Sequence, residues 1–161
     1  MKCLVLCSLF VYVAYNIYII LTFGMPKSLS QTSYTFLDHN KKYIYFSIFC
    51  FSVGDLILLP WISVSRVKSM ELLASFSVGG FILCGMTPLF HRSFQKYIHY
   101  LSAFTTGVSY FIWMWLCNVY VFMVDLILVA LITLFKKNNY VYHTENVIAI
   151  SLMIFLLVSI K

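Results

Sequence analysis

The stretch from Tyr97 to Phe135, YIHYLSAFTTGVSYFIWMWLCNVYVFMVDLILVALITLF, runs for 39 residues without one Lys, Arg or Glu. As a single helix it would reach about 58 Å, nearly twice the hydrocarbon thickness of a bilayer. It therefore has to fold back, and Cys117-Asn118 is the polar pair at which a turn leaves two halves of spanning length. Tryptophan supports this division, because indole rings favour the membrane–water interface. Trp113 and Trp115 precede the turn and Trp61 ends an earlier apolar run, so that with six spans both ends share one side.

The rest of the chain has the same character. Of its 161 residues, 62% are hydrophobic and 10% charged, whereas soluble domains carry about a quarter charged residues. With a mean hydropathy of +0.93, the chain lacks the polar side chains to cover itself in water. The expected fold is all-α: a polytopic transmembrane helix bundle forming one integral membrane domain over 1–161, with no soluble domain. Six spans fit the breaks, at about 3–23, 43–64, 71–90, 97–116, 119–135 and 146–160. The first follows Met1-Lys2 and continues to Phe23 without an A-x-A-like cleavage site, so a retained span is expected. The last is short, and Thr144 with Glu145 is expected to cap its first turn.

The net charge of +6 sits at span ends and forms no cluster suited to nucleic acid. The first, third and fifth loops hold Lys27, Lys41, Lys42, Arg92, Lys96, Lys136 and Lys137, against Lys2, Arg66, Lys68 and Lys161 opposite. The positive-inside rule places those odd loops in the cytoplasm and both termini outside. The five cysteines form no C-x-x-C pair and read as small packing residues. Span three offers Ser75, Ser77, Gly79, Gly80, Cys84 and Gly85, and span four Ala103 and Gly107. Small residues let helix backbones approach closely, so these two spans are expected to be neighbours.

Two carboxylates fall inside spans, Asp55 and Asp125. An ionised carboxylate at the bilayer centre costs at least about 2.5 kcal/mol, so each is expected to be neutral, paired or turned into the bundle. Candidate partners are His99, Asn16, Ser109, Thr105 and Thr106. Asp55 is read equally as a ligand contact or a hydrogen bond between helices, and Asp125 as the latter. The four histidines show no pair at metal-ligand spacing on one helix, and no metal or other cofactor is implied. Nucleophile elbow, zincin, Walker and dinucleotide motifs are all missing, which favours a non-enzymatic protein. Thr35 four residues before His39 is faintly similar to the Ser and His of ceramidase-related membrane hydrolases, but their H-x-x-x-H pair is absent.

The longest polar interval, Gly24 to Lys42, concentrates hydroxyls. In an extended backbone Ser28, Ser30, Thr32 and Tyr34 would all point to one side. Bracketed by Lys27, Lys41 and Lys42, they would form a cationic, hydroxyl-lined cup for a lipid headgroup or another anion. The alternative is that these hydroxyls cap turns or the start of span two.

Three elements carry a family resemblance: PKSLSQTSY after span one, CGMTPLF closing span three, and IHYLSAF opening span four. They resemble the S-I-S-x-T-x-Y loop, G-x-x-P-x-F end and H-x-x-x-A start of small six-span membrane proteins of Bacteroidales and their crAss-like phages. A fainter likeness extends to six-span proteins of the autophagy-modulator type. The resemblance highlights Ser28, Ser30, Thr32, Tyr34, Pro88, Phe90 and His99, and implies a bacterial inner-membrane location but no activity. The chain departs from the pattern with Leu29 in place of Ile and with Asp55.

The leading expectation is a multi-pass membrane protein that recognises lipid or a small ligand through Ser28, Ser30, Thr32, Tyr34, Asp55 and His99. Its expected partners are membrane lipids, with a second copy of the chain or another membrane protein also open. The alternatives are a small transporter with Asp55 in a polar path, and a metal-dependent lipid hydrolase using His39, His99 and an aspartate.

Overall fold

The computed structural model describes residues 1–39, 42–88, 93–136 and 138–160. Phe90, His91, Arg92, Lys41, Lys137 and Lys161, which entered the reading above, lie outside the described residues. Within them are seven helices: α1 (Lys2–Phe23), α2 (Thr32–Asp38), α3 (Ile44–Val64), α4 (Lys68–Met86), α5 (Ser93–Cys117), α6 (Val119–Phe135) and α7 (Tyr140–Ser159). Four of them, α1, α3, α4 and α7, are long and apolar enough to cross a membrane. The apolar α6 has 17 residues, and α5 has 25.

The long apolar stretch does fold back, and it does so at Asn118. There the backbone is extended, and Asn118 Oδ1 accepts from the N–H groups of Tyr120 (3.1 Å) and Val121 (3.2 Å). A side-chain oxygen before a first turn satisfies amides that the helix itself leaves without acceptors. The amide chemistry of one residue thus converts one over-long helix into two.

The six long helices pack in chain order as a ring, crossed by a contact between α3 and α7. α3 lies between α1 and α4, α5 follows α4, α6 joins α5 to α7, and α7 returns to α1. The short α2 rests on α3. The tightest seams are where small residues were expected to make them. A Cβ on Gly80 would lie 2.5 Å from Thr106 Oγ1 and 2.7 Å from the Ser102 carbonyl, so α4 and α5 pack with backbones close together. Ser77 Oγ donates to the Thr106 carbonyl (2.9 Å) across the same seam. On the other side of α4, a Cβ on Gly85 would meet Cys50 at 2.5 Å, and Ser47 Oγ donates to the Gly85 carbonyl (2.6 Å).

Ala103 and Gly107 are not part of that seam, contrary to expectation. Ala103 is exposed, and a Cβ on Gly107 would meet nothing within 4 Å. The α4–α5 contact uses Ser102 and Thr106 instead, one residue earlier on each turn. Helix starts also differ from the sequence reading. α4 begins at Lys68, α5 at Ser93 and α7 at Tyr140, because polar residues extend a helix beyond the apolar stretch that hydropathy detects. Glu145 therefore lies inside α7 rather than at its cap. Trp61 and Trp113 are buried and pack edge-to-face at 5.5 Å, with Trp113 Nε1 donating to Ser65 Oγ (2.9 Å). Only Trp115 of the three is exposed, at 53%.

Candidate functional site

The polar side chains gather at one end of the ring, where α1 and α4 finish and α3, α5 and α7 begin. The hydroxyl-rich segment is a turn leading into α2, not an extended strand. Its hydroxyls reach back to the main chain: Thr32 to the Leu29 carbonyl (2.6 Å), Ser33 to that of Ser30 (2.8 Å) and Thr35 to that of Gln31 (3.3 Å). Such local bonds favour turns and single helical turns over strands, so the one-sided display of Ser28, Ser30, Thr32 and Tyr34 is not formed.

The four residues have separate places. Ser28 Oγ accepts from the Gln31 amide (3.1 Å) and shapes the turn. Thr32 is fully buried and, with its own proton given to Leu29, accepts from Tyr15 OH (2.5 Å). Tyr34 is half-buried in the first turn of α2. Ser30 reaches across to α5, its Oγ lying 3.0 Å from His99 Nε2. His99 is buried, at 3% exposure, and its Nδ1 lies 3.2 Å from Thr87 Oγ1. The Ser33 hydroxyl also lies 2.6 Å from the Pro88 carbonyl, so its one proton is shared between the Ser30 and Pro88 carbonyls. The structure thus joins the loop, the end of α4 and the start of α5.

Asp55 does not join them. It is exposed on the outer face of α3, which corrects its placement in an internal polar path. Asp125 is buried at 1% exposure and accepts from Tyr110 OH, so it ties α6 to α5. Its partner was not among those considered from sequence. Thr105 and Thr106 bond carbonyls of their own helix, and Asn16 accepts from Tyr142 OH (2.6 Å) while donating to the Tyr12 carbonyl (2.8 Å). His39 is exposed against the Phe23 ring. Among the described residues no three His, Cys, Asp or Glu side chains come together as metal ligands.

Glu145 is the site residue that sequence reasoning missed. Its Oε2 accepts from the Leu29 amide at 2.7 Å. Beside it, the Tyr142 amide donates to the Lys27 carbonyl (3.1 Å). A carboxylate in the opening turns of an apolar helix, opposite a loop with spare amides, was the available signal.

Beneath this polar end lies a cavity of about 290 Å³. Ser30, Glu145 and Tyr12 line its polar end. Val53, Ile57, Val78, Phe81 and Leu152 form apolar walls, and Trp61 and Tyr110 also line it. α6 contributes no residue to its wall, and Ala103 and Gly107 of α5 face it together with Ile148 and Ala149 of α7. Two buried donors in the lining, Tyr12 OH and Trp61 Nε1, have no hydrogen-bond partner among the described residues. Buried polar groups are rarely left so. No protein-family model, no curated protein and no solved structure matches the chain.

Proposed function

We propose that the chain crosses the bilayer six times and binds a single-chain lipid, its tail in the central cavity and its polar end against Ser30 and Glu145. The cavity carries this reading. Its volume of about 290 Å³ is at the lower edge of the roughly 300–1,000 Å³ typical of ligand sites, which suits one slender chain better than two. Its walls are largely apolar, and Ser30 and Glu145 stand together at its loop end, the distribution an amphiphile needs. Access is from the side, between α5 and α7, where exposed Ala103 and open Gly107 leave room that a larger side chain would fill. Further along, the Trp113 and Phe155 rings close the gap at 5.8 Å. The balance of basic residues puts the polar mouth on the cytoplasmic side, and the resemblance noted above favours a bacterial inner membrane.

The test is cavity filling. Gly107→Leu adds a side chain whose Cβ meets nothing within 4 Å and improves helix propensity by about 1 kcal/mol. Mass spectrometry of lipid extracted from the purified protein is expected to find one single-chain species enriched over bulk lipid, and lost from Gly107→Leu without a lower thermal midpoint. Equal lipid content in the two proteins would remove the cavity from the argument.

A further inference from the structure

We infer that Ser30 and His99 form a nucleophile–base pair that transfers the acyl group of a lipid ester whose chain occupies the cavity. The inference rests on the binding reading above for its substrate. Its chemistry rests on a separate observation, the direction of the hydrogen bonds around His99.

Thr87 fixes that direction. Its hydroxyl donates to the Leu83 carbonyl (3.0 Å), so its oxygen is left to accept. The atom facing it is His99 Nδ1, at 3.2 Å, to which the ring proton is assigned when the Thr87 proton is spent on the α4 carbonyls. An imidazole protonated at Nδ1 presents a lone pair at Nε2, and there the Ser30 hydroxyl lies at 3.0 Å. A hydroxyl donating to an imidazole that a third group orients is the arrangement that activates a serine. The loop–helix contact alone would be met by either tautomer; only this one makes His99 a base toward Ser30. Thr87 acts as a positioning residue, since it touches His99 and not the cavity.

Ser30 also stands where the reacting bond would be. It lines the cavity at its polar end, and His99 reaches it from outside the cavity lining. Tyr12, 1% exposed and with a hydroxyl that meets no hydrogen-bond geometry to any partner among the described residues, lines the same cavity. The nearby Asn16 is spent on Tyr142 and on the Tyr12 carbonyl. A buried donor held without an acceptor is suited to a carbonyl oxygen that gains negative charge during reaction.

In the first step Ser30 Oγ bonds to the ester carbonyl carbon as its proton passes to His99 Nε2. The ester C–O bond then breaks, and His99 returns the proton to the departing alcohol, leaving the acyl group on Ser30. Water repeats the sequence in reverse: it gives its proton to His99, adds to the acyl carbon, and releases a fatty acid as Ser30 regains its proton.

The experiment uses the full chain in detergent with a long-chain alkyl fluorophosphonate, whose phosphorus bonds serine oxygen as fluoride leaves. Peptide mass mapping is expected to find the adduct on Ser30. Hydrolysis of a long-chain 4-methylumbelliferyl ester is expected to vanish in Ser30→Ala and to fall about 10²–10⁴-fold in His99→Gln, while Thr133→Ala, on the exposed face of α6, keeps the native rate. Thr87→Val is expected to change the pH profile of hydrolysis, and Thr87→Ser to restore it. A protein that copurifies with single-chain lipid yet gives no adduct at Ser30, and no hydrolysis above Ser30→Ala, overturns the catalytic pair and leaves binding standing. An adduct at Ser30 in a protein without copurifying lipid supports the pair and overturns the binding reading. Because the adduct is mapped on the native chain, the result does not depend on any variant folding.

Discussion

The main-chain amide of Leu29 donates to the Glu145 carboxylate at 2.7 Å, linking the first loop to the last helix across 116 residues of sequence. A hydrogen bond contributes about 0.5–1.5 kcal/mol, and leaving a buried amide unpaired costs about 1–3 kcal/mol. Glu145→Ala is therefore expected to lower stability by about 2 kcal/mol, read from the denaturant midpoint in detergent. Glu145→Gln keeps an acceptor oxygen and is expected to lose less.

The two aspartates are expected to respond in opposite directions. Asp125 is the one residue of α6 buried among the described residues and accepts from Tyr110 OH, so Asp125→Leu should lower the thermal midpoint. A double-mutant cycle with Tyr110→Phe is expected to give a coupling of about 0.6–1.7 kcal/mol. Asp55, twelfth in the 21 residues of α3 and exposed on its outer face, meets acyl chains on the six-span reading. Asp55→Leu is expected to raise the midpoint in nanodiscs or leave it unchanged, because a carboxylate at that depth costs about 2.5 kcal/mol.

Neighbouring glycines on α4 provide a packing test. A Cβ on Gly80 would press on Thr106 and the Ser102 carbonyl, whereas one on Gly79 would meet nothing within 4 Å. Gly80→Ala should destabilise by about 1–3 kcal/mol through overpacking. Gly79→Ala should stabilise by up to about 1 kcal/mol through helix propensity. Circular dichroism melts of the two variants check the contrast.

A fourth expectation concerns the loop. Thr32 is buried between the Leu29 carbonyl and Tyr15 OH. Thr32→Val leaves Tyr15 without its acceptor and should cost about 1–3 kcal/mol, while Thr32→Ser keeps both bonds and costs less. Thermal unfolding of the pair distinguishes a structural hydroxyl from one that touches ligand, since a purely structural role leaves the bound-lipid fraction of folded Thr32→Val unchanged.

The break at Asn118 was legible because a chain that is apolar for 39 residues has to turn, and few residues there can satisfy free amides. The close seam between α4 and α5 was legible from Gly80 and Ser77 for the same kind of reason, a local requirement with few solutions. Which way Asp55 faces was not legible. α3 is apolar on every side, so hydrophobic periodicity carries no sign of inside or outside. Nor was the role of Ala103 and Gly107, since small residues permit close packing and open space alike. Of the two readings of the segment around α2, hydroxyls that close turns are found and the extended one-sided display is not, because Ser and Thr alternate over a few residues as readily in a turn as in a strand. His99 and Ser30 were both named from sequence, but their meeting depends on how α5 and the first loop sit together, which no local pattern encodes.

The polar mouth draws on residues 30, 87, 99 and 145, and the amides of Leu29 and Tyr142 each donate to the other's segment. During synthesis, most of these groups reach the membrane long before Glu145 leaves the ribosome. A chain stopped before its final helix would contain the serine, the histidine and most of the cavity wall, yet have no completed opening. On the binding reading, assembly of the whole protein and readiness for ligand are the same event, timed by the last segment to be made.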